Sequence, residues 1–197
     1  MLKRTLEVNI NEYLQSDSHK VFFIWGPRRS GKTTLLQLVA KERTVPIFNF
    51  DLISDRELFV PTEESLHKLA SEQSLILIDE IQNHPQSTVA LKILHDRFNV
   101  KIIATGSSEL RQKGADFDSL AGRFVEHYCL PLSVFEIVDN QKVLAYQEKE
   151  FVRKLQREVQ IFGAYPEVYT AIMPQLSAKI DLLQNILVPH QVNFNVY

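Results

Sequence analysis

The sequence predicts an α/β fold in which helices cover both faces of a five-stranded, mainly parallel sheet, followed by a small helical appendage. Two observations support this prediction. Short apolar runs alternate with longer amphipathic stretches as far as residue 130, and the alternation stops after Pro131. Because parallel strands need long crossover connections, the alternation indicates a three-layer domain. We therefore expect a core with an N-terminal helix over residues 1–131 and a helical, lid-like region over residues 132–197.

Each predicted element has a local sequence signal. A helix is predicted over residues 2–15, where leucine or isoleucine recurs every four residues. The five predicted strands are the apolar runs at residues 21–25, 45–50, 75–79, 101–105 and 124–130. The amphipathic stretches between them predict helices at residues 32–42, 63–72, 86–97 and 108–113. In the appendage, we expect helices at residues 151–162 and 175–188 and a strand-like ending at residues 190–197.

The composition excludes several classes of protein. The chain has 197 residues, of which 45% are hydrophobic and 23% charged, so it is long enough to bury a full core. Its net charge of -2 provides no overall basic field for nucleic acid. The single cysteine, Cys129, excludes a disulfide framework within the chain and fits a reducing compartment. The sequence contains neither a signal peptide nor an apolar run of membrane-spanning length, so we expect a cytoplasmic protein that does not contact a membrane.

The first predicted strand runs directly into GPRRSGKT, which fits the phosphate-loop pattern G-x-x-x-x-G-K-[ST]. Gly26 and Gly31 allow the loop to curl so that its N–H groups point at phosphate oxygens. Lys32 opens a helix whose positive end attracts anions, and its own charge is predicted to act on the terminal phosphates during catalysis. The Thr33 hydroxyl suits Mg²⁺. The predicted fold is thus a three-layer P-loop NTPase domain. The predicted phosphate-binding residues are Gly26, Pro27, Arg28, Arg29, Ser30, Gly31, Lys32, Thr33 and Thr34.

Two of these residues, Arg28 and Arg29, occupy variable positions of the loop pattern. Their side chains have two open interpretations. They are solvated arginines at the loop tip, or they contact a phosphate, a neighbouring subunit or a partner directly.

The third predicted strand ends in an acidic pair, Asp79 and Glu80. A carboxylate at a strand end beside a phosphate loop can hold Mg²⁺ through water, which predicts Asp79 and Thr33 as the metal-binding residues. Because successive strand residues point in opposite directions, Glu80 is aimed differently and is predicted to position or deprotonate the attacking water. The alternative for Glu80 is an acidic residue at a helix N-terminus.

Polar candidates also occur near the last two predicted strands. In KIIATGSS, Thr105 or Ser107 is predicted to hydrogen-bond the water or the terminal phosphate, with a polar turn that caps a helix as the alternative. In SLAGRF, Arg123 precedes the last strand and is a candidate to stabilise charge during phosphoryl transfer, within one chain or across a subunit boundary. The alternative for Arg123 is an ion pair with a nearby acid.

Six segments, in this order, resemble an AAA-type ATPase family of bacteria and archaea: GPRRSGKTTLL, LILIDEIQ, ATGSS, SLAGRF, PLSVFE and GAYPEV. Members of that family join an N-terminal P-loop ATPase domain to a C-terminal domain of unknown function. The resemblance covers roughly residues 4–170. It implies that residues 26–34 bind ATP, that Asp79 and Glu80 form the acidic motif, that Ser107 or Thr105 is the polar sensor, and that Arg123 is the arginine candidate.

The chain departs from the family pattern at two points. Ala164 stands where a second glycine is usual. Family members also continue further, so the resemblance predicts that residues 132–197 are truncated relative to the family, through a fragment or a shortened gene. Arg153 and Arg157 are the candidates for a second sensor in this region.

The expected function is Mg²⁺-dependent ATP binding and hydrolysis coupled to a conformational change in a partner. One alternative is a slow nucleotide-dependent switch or interaction module with little turnover. The other is a small-molecule phosphotransferase, which the Asp79–Glu80 pair disfavours because it positions water. ATP and Mg²⁺ are the expected ligands. The partners that stay open are a second copy of the chain and an unidentified protein or DNA-linked partner.

Overall fold

The structure is a computed structural model that describes residues 2–107, 120–141 and 148–171. The predicted elements at residues 108–113, 175–188 and 190–197 lie outside the described residues. The observed elements, in chain order, are α1 (Leu6–Gln15), β1 (Val21–Gly26), α2 (Lys32–Arg43), β2 (Ile47–Asn49), α3 (Ile53–Glu57), α4 (Glu63–Glu72), β3 (Leu75–Asp79), a 3₁₀ turn (Ile81–Asn83), α5 (Ser87–Arg97), β4 (Lys101–Ser107), β5 (Phe124–Tyr128), α6 (Val134–Gln141) and α7 (Glu148–Phe162).

The five strands form one sheet in the order β2-β3-β4-β1-β5, and every neighbouring pair is parallel. This arrangement confirms the predicted α/β fold. All the strands therefore end at the same edge of the sheet, which is where open α/β sheets bind ligands. At this edge Gly26 of β1 lies opposite Ser107 of β4, and Asp79 of β3 lies opposite Asn49 of β2.

Two apolar clusters, one on each face of the sheet, explain the three layers. In β1, Phe23 and Trp25 belong to one cluster and Phe22 and Ile24 to the other, as expected for side chains that alternate along a strand. Helices α4 and α5 contribute leucines to the first cluster, whereas α1 and α2 contribute leucines to the second. Because both faces are covered, β1 is buried along its whole length and reads as a continuous apolar run.

The helical region after the sheet has a third apolar cluster. Leu132, Ile137, Leu155 and Tyr169 are its buried members, and Leu2 from the N-terminus packs against them. The predicted helix at residues 151–162 is confirmed as the main part of α7. Among the described residues, no helix combines the length and the apolar character needed to cross a membrane.

Three short elements were not predicted: α3, the 3₁₀ turn and α6. Each has at most 8 residues, which is too short to display a helical repeat of apolar positions. Strand β2 is shorter than predicted because Pro46, directly before it, has no N–H to donate to a sheet ladder.

Candidate functional site

The sequence GPRRSGKT forms the loop between β1 and α2, and its glycines are required by the local geometry. A Cβ atom on Gly26 would lie 2.1 Å from the carbonyl oxygen of Cys129, so no side chain fits there. Gly31 has φ +101°, a left-handed conformation that glycine adopts readily. Arg29 is also left-handed, with φ 63°. These two turns bend the chain sharply between the end of the central strand and the first turn of α2.

Lys32, the first residue of α2, folds back over this loop. Its side chain is buried, and Nζ donates to the carbonyl oxygens of Gly26 at 3.0 Å and Pro27 at 2.9 Å. Burial lowers the pKa of Lys32 below its usual value, and the negative charge of Glu80 acts in the opposite direction. The ammonium group is therefore held at the centre of the loop by oxygens of the loop backbone.

Asp79, the last residue of β3, joins the loop to the neighbouring strand. Its Oδ2 accepts a hydrogen bond from the Thr33 hydroxyl at 2.8 Å, and its Oδ1 accepts one from the Thr105 hydroxyl. Thr105 is fully buried in β4. Its hydroxyl thus orients the carboxylate, and contact of Thr105 with water or phosphate stays a prediction.

Glu80 follows β3 in a left-handed conformation, with φ 55° and ψ 48°. This conformation costs a residue with a side chain about 1–2 kcal/mol. The side chain of Glu80 accepts a hydrogen bond from Gln82 Nε2. In turn, Gln82 Oε1 accepts the backbone N–H of Ser107 at 3.3 Å. Gln82 therefore links Glu80 to the end of β4, and Ser107 is connected to the acid through its backbone.

A cleft of about 560 Å³ lies over the C-terminal edge of the sheet. The predicted residues that line it are Arg28, Arg29, Gly31, Lys32, Thr33, Thr34 and Glu80. The helical region forms part of the wall through Pro166 and Glu167. Arg29 NH1 lies 3.6 Å from Glu167 Oε2 in an exposed ion pair. Arg28 and Arg29 are exposed and also line the cleft, so both interpretations of these arginines stay open.

Ser30 differs from the other loop residues because it is fully buried. Its Oγ finds no hydrogen-bond partner among the described residues. Its carbonyl oxygen accepts hydrogen bonds from Arg4 and Cys129, on the side of the loop that packs against the protein. Ser30 therefore contributes backbone geometry to the loop.

Arg123 does not reach the cleft of its own chain. Its carbonyl oxygen accepts the N–H of Val21, the first residue of β1, so Arg123 lies at the opposite edge of the sheet from Gly26. The length of β1 separates the two edges by about 17 Å. Arg123 Nε donates to Asp96 Oδ1 at 2.8 Å, and this hydrogen bond, together with one from His95, holds the pKa of Asp96 at about 2. The ion pair named as the alternative is present, and any role of Arg123 at a cleft requires a second chain.

Sequence reasoning missed several residues around the cleft. Gln82, Asp51 and Asn83 line it beside Glu80, and Asn83 Nδ2 donates to Asp51 Oδ1 at 2.6 Å. Gln82 lies within the DEIQ segment, so its position two residues after Glu80 was the sequence signal that could have identified it as a cleft residue. Pro166 and Glu167 come from the GAYPEV segment, whose position against the loop depends on how the helical region packs. Arg153 and Arg157, the candidates for a second sensor, are not among the residues that line this cleft.

The donor chemistry at Thr33 and Asp79 fits Mg²⁺. Both side chains offer oxygen atoms, which this hard cation prefers, and Mg²⁺ is commonly held by one or two protein groups together with substrate phosphates. Their contact at 2.8 Å brings a hydroxyl and a carboxylate to one point beside Lys32. These two residues would hold the metal.

A phosphate loop, an acidic strand end and this strand order define an AAA-type P-loop domain. The sequence model of the family AAA_14, described as an AAA domain, matches residues 18–138. That range is more than half of the 197 residues. The chain therefore belongs to this AAA domain family.

Two curated relatives extend the comparison. An uncharacterized protein of Haemophilus influenzae is 29% identical over 185 residues, which cover 85% of this chain and 46% of that protein. An uncharacterized protein of Methanocaldococcus jannaschii is 28% identical over 144 residues, which cover 66% of this chain and 30% of that protein. The chain thus spans less than half the length of these relatives.

A solved structure shows the same fold. The Walker-type ATPase PABY2304 of Pyrococcus abyssi superposes with a TM-score of 0.56 and 16% sequence identity. The match covers 95% of this chain and 77% of the Pyrococcus chain. At this level of identity, the likeness concerns the arrangement of strands and helices.

Proposed function

We propose that the chain binds ATP with Mg²⁺ and hydrolyses it, and that hydrolysis changes the conformation of a partner. The observation that carries this proposal is the 2.8 Å hydrogen bond from the Thr33 hydroxyl to Asp79 Oδ2. It joins the first turn of α2 to the end of β3, through two residues that the sequence assigned to the same metal. The choice of ATP rests on membership of the AAA domain family.

The residues of the cleft divide the work of binding. Backbone N–H groups of the loop and the ammonium group of Lys32 attract the phosphates. Thr33 and Asp79 would hold Mg²⁺, which would neutralise phosphate charge and polarise a phosphoryl oxygen. Thr105 keeps the Asp79 carboxylate in one orientation through its hydrogen bond to Oδ1.

Hydrolysis requires a water oxygen to attack the terminal phosphorus while the bond from that phosphorus to the bridging oxygen breaks. The products are ADP, which keeps the bridging oxygen, and inorganic phosphate. We assign the water proton to Glu80, because Glu80 lines the cleft, whereas both carboxylate oxygens of Asp79 accept hydrogen bonds from Thr33 and Thr105. Gln82 positions this carboxylate by hydrogen bonding to it.

A slow nucleotide-dependent switch is the second candidate function. It is supported by two features: Gln82 engages the Glu80 side chain, and Arg123 lies at the far edge of the sheet. Both features favour low turnover in a single chain. For its partner we keep two possibilities, a second copy of the chain and a protein or DNA-linked partner. We also keep the cytoplasm as the proposed location, since Cys129 is a buried free thiol.

The metal-binding role is tested with Asp79→Asn, which replaces one carboxylate oxygen with an amide. We expect wild-type chain to release phosphate from ATP with Mg²⁺ and to stop when EDTA is added. Asp79→Asn is expected to lower the Mg²⁺-dependent rate by about 100-fold, because a neutral amide is a weaker ligand for Mg²⁺.

Asp17→Asn is the matched control, since Asp17 is an exposed carboxylate before β1, at the opposite edge of the sheet. It is expected to keep the wild-type rate. Phosphate release by Asp79→Asn at the wild-type rate would remove Asp79 from the metal site. If the wild-type chain released no phosphate at any protein concentration, the slow nucleotide-dependent switch would be the better supported of the two candidate functions.

Arg123 is tested by varying the protein concentration. We expect phosphate release per wild-type chain to rise with concentration, because Arg123 can reach a cleft only in another copy. Arg123→Ala is expected to keep the low rate that wild-type chain shows at the lowest concentration. An equal mixture of Arg123→Ala and Lys32→Ala chains should regain activity, since each supplies the group that the other lacks.

Asp96→Asn serves as the control for this experiment, because it releases Arg123 from its ion pair and leaves the guanidinium in place. It is expected to show the same concentration dependence as wild type. A rate per chain that is independent of concentration, with no recovery in the mixture, would contradict a role for Arg123 across subunits.

A further inference from the structure

Arg4 is a buried arginine that contacts the phosphate loop from the side opposite the cleft. It precedes α1, and only 7% of its surface is exposed. Its NH1 donates to the carbonyl oxygen of Ser30 at 2.7 Å, and its NH2 donates to the carbonyl oxygen of Leu130 at 2.6 Å. One guanidinium group therefore joins the loop to the segment that follows β5.

The contact with Ser30 fixes the direction of a neighbouring N–H group. In a planar trans peptide, the carbonyl and the following N–H point in opposite directions. Holding the Ser30 carbonyl towards Arg4 therefore directs the N–H of Gly31 away from Arg4. Gly31 lines the cleft, whereas Arg4 is not among its lining residues. The N–H of Gly31 is one of the groups that the phosphate-loop pattern assigns to phosphate.

The close approach of Arg4 depends on Gly31 having no side chain. A Cβ atom on Gly31 would lie 3.2 Å from Arg4 NH1, which is tighter than an ordinary contact. Gly31 is thus required for two reasons: its backbone is left-handed, and the absence of a side chain leaves space for the guanidinium group of Arg4.

Arg4 also reaches the helical region through Glu136 of α6. Arg4 Nε donates to Glu136 Oε1 at 3.0 Å, and the two side chains are only 8% and 10% exposed. The carboxylate additionally accepts the N–H groups of Thr5 and Ser133, both at 2.9 Å. Burial raises the pKa of Glu136, but these hydrogen bonds together outweigh it, so the pKa lies below its usual value.

A buried ion pair contributes little net stability. Removing either partner leaves an uncompensated buried charge, so the pair favours the one arrangement in which both partners meet. Here that arrangement joins the N-terminal segment to α6. Lys3 N–H donates to Asn140 Oδ1 at 2.8 Å, and Asn140 Nδ2 donates to the Lys3 carbonyl oxygen at 2.9 Å. Residues 2–5 and α6 therefore form one unit, and Arg4 extends from this unit to the loop.

We propose that Arg4 is a positioning residue for the phosphate loop, and that its pairing with Glu136 couples the Ser30–Gly31 peptide to α6. A triphosphate that accepts a hydrogen bond from the N–H of Gly31 shifts the Ser30–Gly31 peptide, and Arg4 transmits this shift to the helical region. The inference rests on the proposed function, because it takes phosphate as the ligand of the loop. It adds a route from the phosphates to the helical region.

The test compares Arg4→Lys, Glu136→Gln and the double variant. Titrations with ATP and with pyrophosphate measure affinity for the loop, and amide hydrogen exchange of residues 134–141 measures the response of α6. We expect Arg4→Lys to weaken both affinities by about tenfold, because lysine cannot bridge the three acceptors. Glu136→Gln is expected to reduce the ATP-dependent change in amide exchange. In each measurement, the loss in the double variant is expected to be no larger than the loss in the more strongly affected single variant.

Asp139→Asn is the matched control. It removes an exposed pair between the same two segments, with Lys3 Nζ 3.8 Å from Asp139 Oδ2 and both side chains 69% exposed. We expect wild-type affinity and exchange from this variant. If Arg4→Lys fails to fold, Glu136→Gln alone decides the question. The proposal would be overturned if Arg4→Lys and Glu136→Gln changed affinity and exchange no more than Asp139→Asn does. It would also be overturned if the losses of the two single variants were additive in the double variant.

Failure of the inference is distinguishable from failure of the proposed function. Wild-type chain that binds neither ATP nor pyrophosphate would remove the proposed function itself. Binding by the wild type that Lys32→Ala abolishes, with no effect of Arg4→Lys or Glu136→Gln, would remove only the coupling.

Discussion

Lys32→Ala is expected to weaken ATP binding by about 1,000-fold, because the ammonium group provides charge-assisted hydrogen bonds at the centre of the loop. The group is held there by the carbonyl oxygens of Gly26 and Pro27, so it needs little ordering to meet a phosphate. Its burial strengthens the interaction, since charges attract more strongly away from bulk water. An equilibrium titration of each variant with ATP measures the loss.

The controls separate a loss of charge from a loss of structure. Lys32→Met keeps most of the side-chain volume and removes the charge, so it should bind ATP as weakly as Lys32→Ala. Lys41→Ala removes an exposed lysine from the last turn of the same helix and is expected to bind like wild type. Thermal unfolding of all three shows whether each variant is folded. Folded Lys32 variants that keep wild-type affinity would contradict the assignment of the phosphate loop.

The architecture of the domain was predictable because its signals are local. Each central strand is buried on both faces, so it appears in the sequence as a continuous apolar run between amphipathic helices. The phosphate loop was equally predictable, since its glycines, lysine and threonine are neighbours in the chain. Asp79 was placed correctly beside Thr33 because Asp79 ends β3 and Thr33 opens the helix after the loop that follows β1, and these two parallel strands end at one edge of the sheet.

Side-chain orientation and long-range packing were not predictable in the same way. The sequence does not say whether the Thr105 hydroxyl turns towards the cleft or towards Asp79, since both lie near the end of β4. The positions of Arg4 and Glu167 beside the loop depend on contacts between segments far apart in the chain. Arg123 is a different case. It precedes a strand parallel to β1, so its place at the opposite edge followed from the predicted topology.

Glu80→Gln is expected to lower the rate of ATP hydrolysis by about 1,000-fold and to leave ATP affinity close to that of wild type. An amide keeps the size and the hydrogen-bonding ability of the side chain but cannot accept the water proton, which is the step assigned to Glu80. The phosphate loop and the Thr33–Asp79 pair are untouched by the change. Single-turnover hydrolysis and an ATP titration, measured on the same preparation, separate the two effects.

The backbone of Glu80 provides a second variant that distinguishes chemistry from structure. Because Glu80 is left-handed, with φ 55°, Glu80→Gly relieves a conformation that glycine adopts freely. We expect this variant to unfold at a temperature no lower than wild type and to hydrolyse ATP as slowly as Glu80→Gln. Glu72→Gln, an exposed position at the end of α4, is the control and should match wild type in both measurements.

These outcomes also decide between the two candidate functions. If the chain is an ATPase that drives a conformational change, both Glu80 variants lose turnover and retain bound ATP. If it is a switch with little turnover, the rate of hydrolysis in these variants stays close to the low wild-type rate. Hydrolysis by Glu80→Gly at the wild-type rate, in a protein that is equally stable, would show that the left-handed turn after β3 serves the fold and not the reaction. Loss of turnover without loss of stability would instead explain why the chain keeps a strained glutamate at the edge of the cleft, since the cost in folding is then offset by the position of one carboxylate.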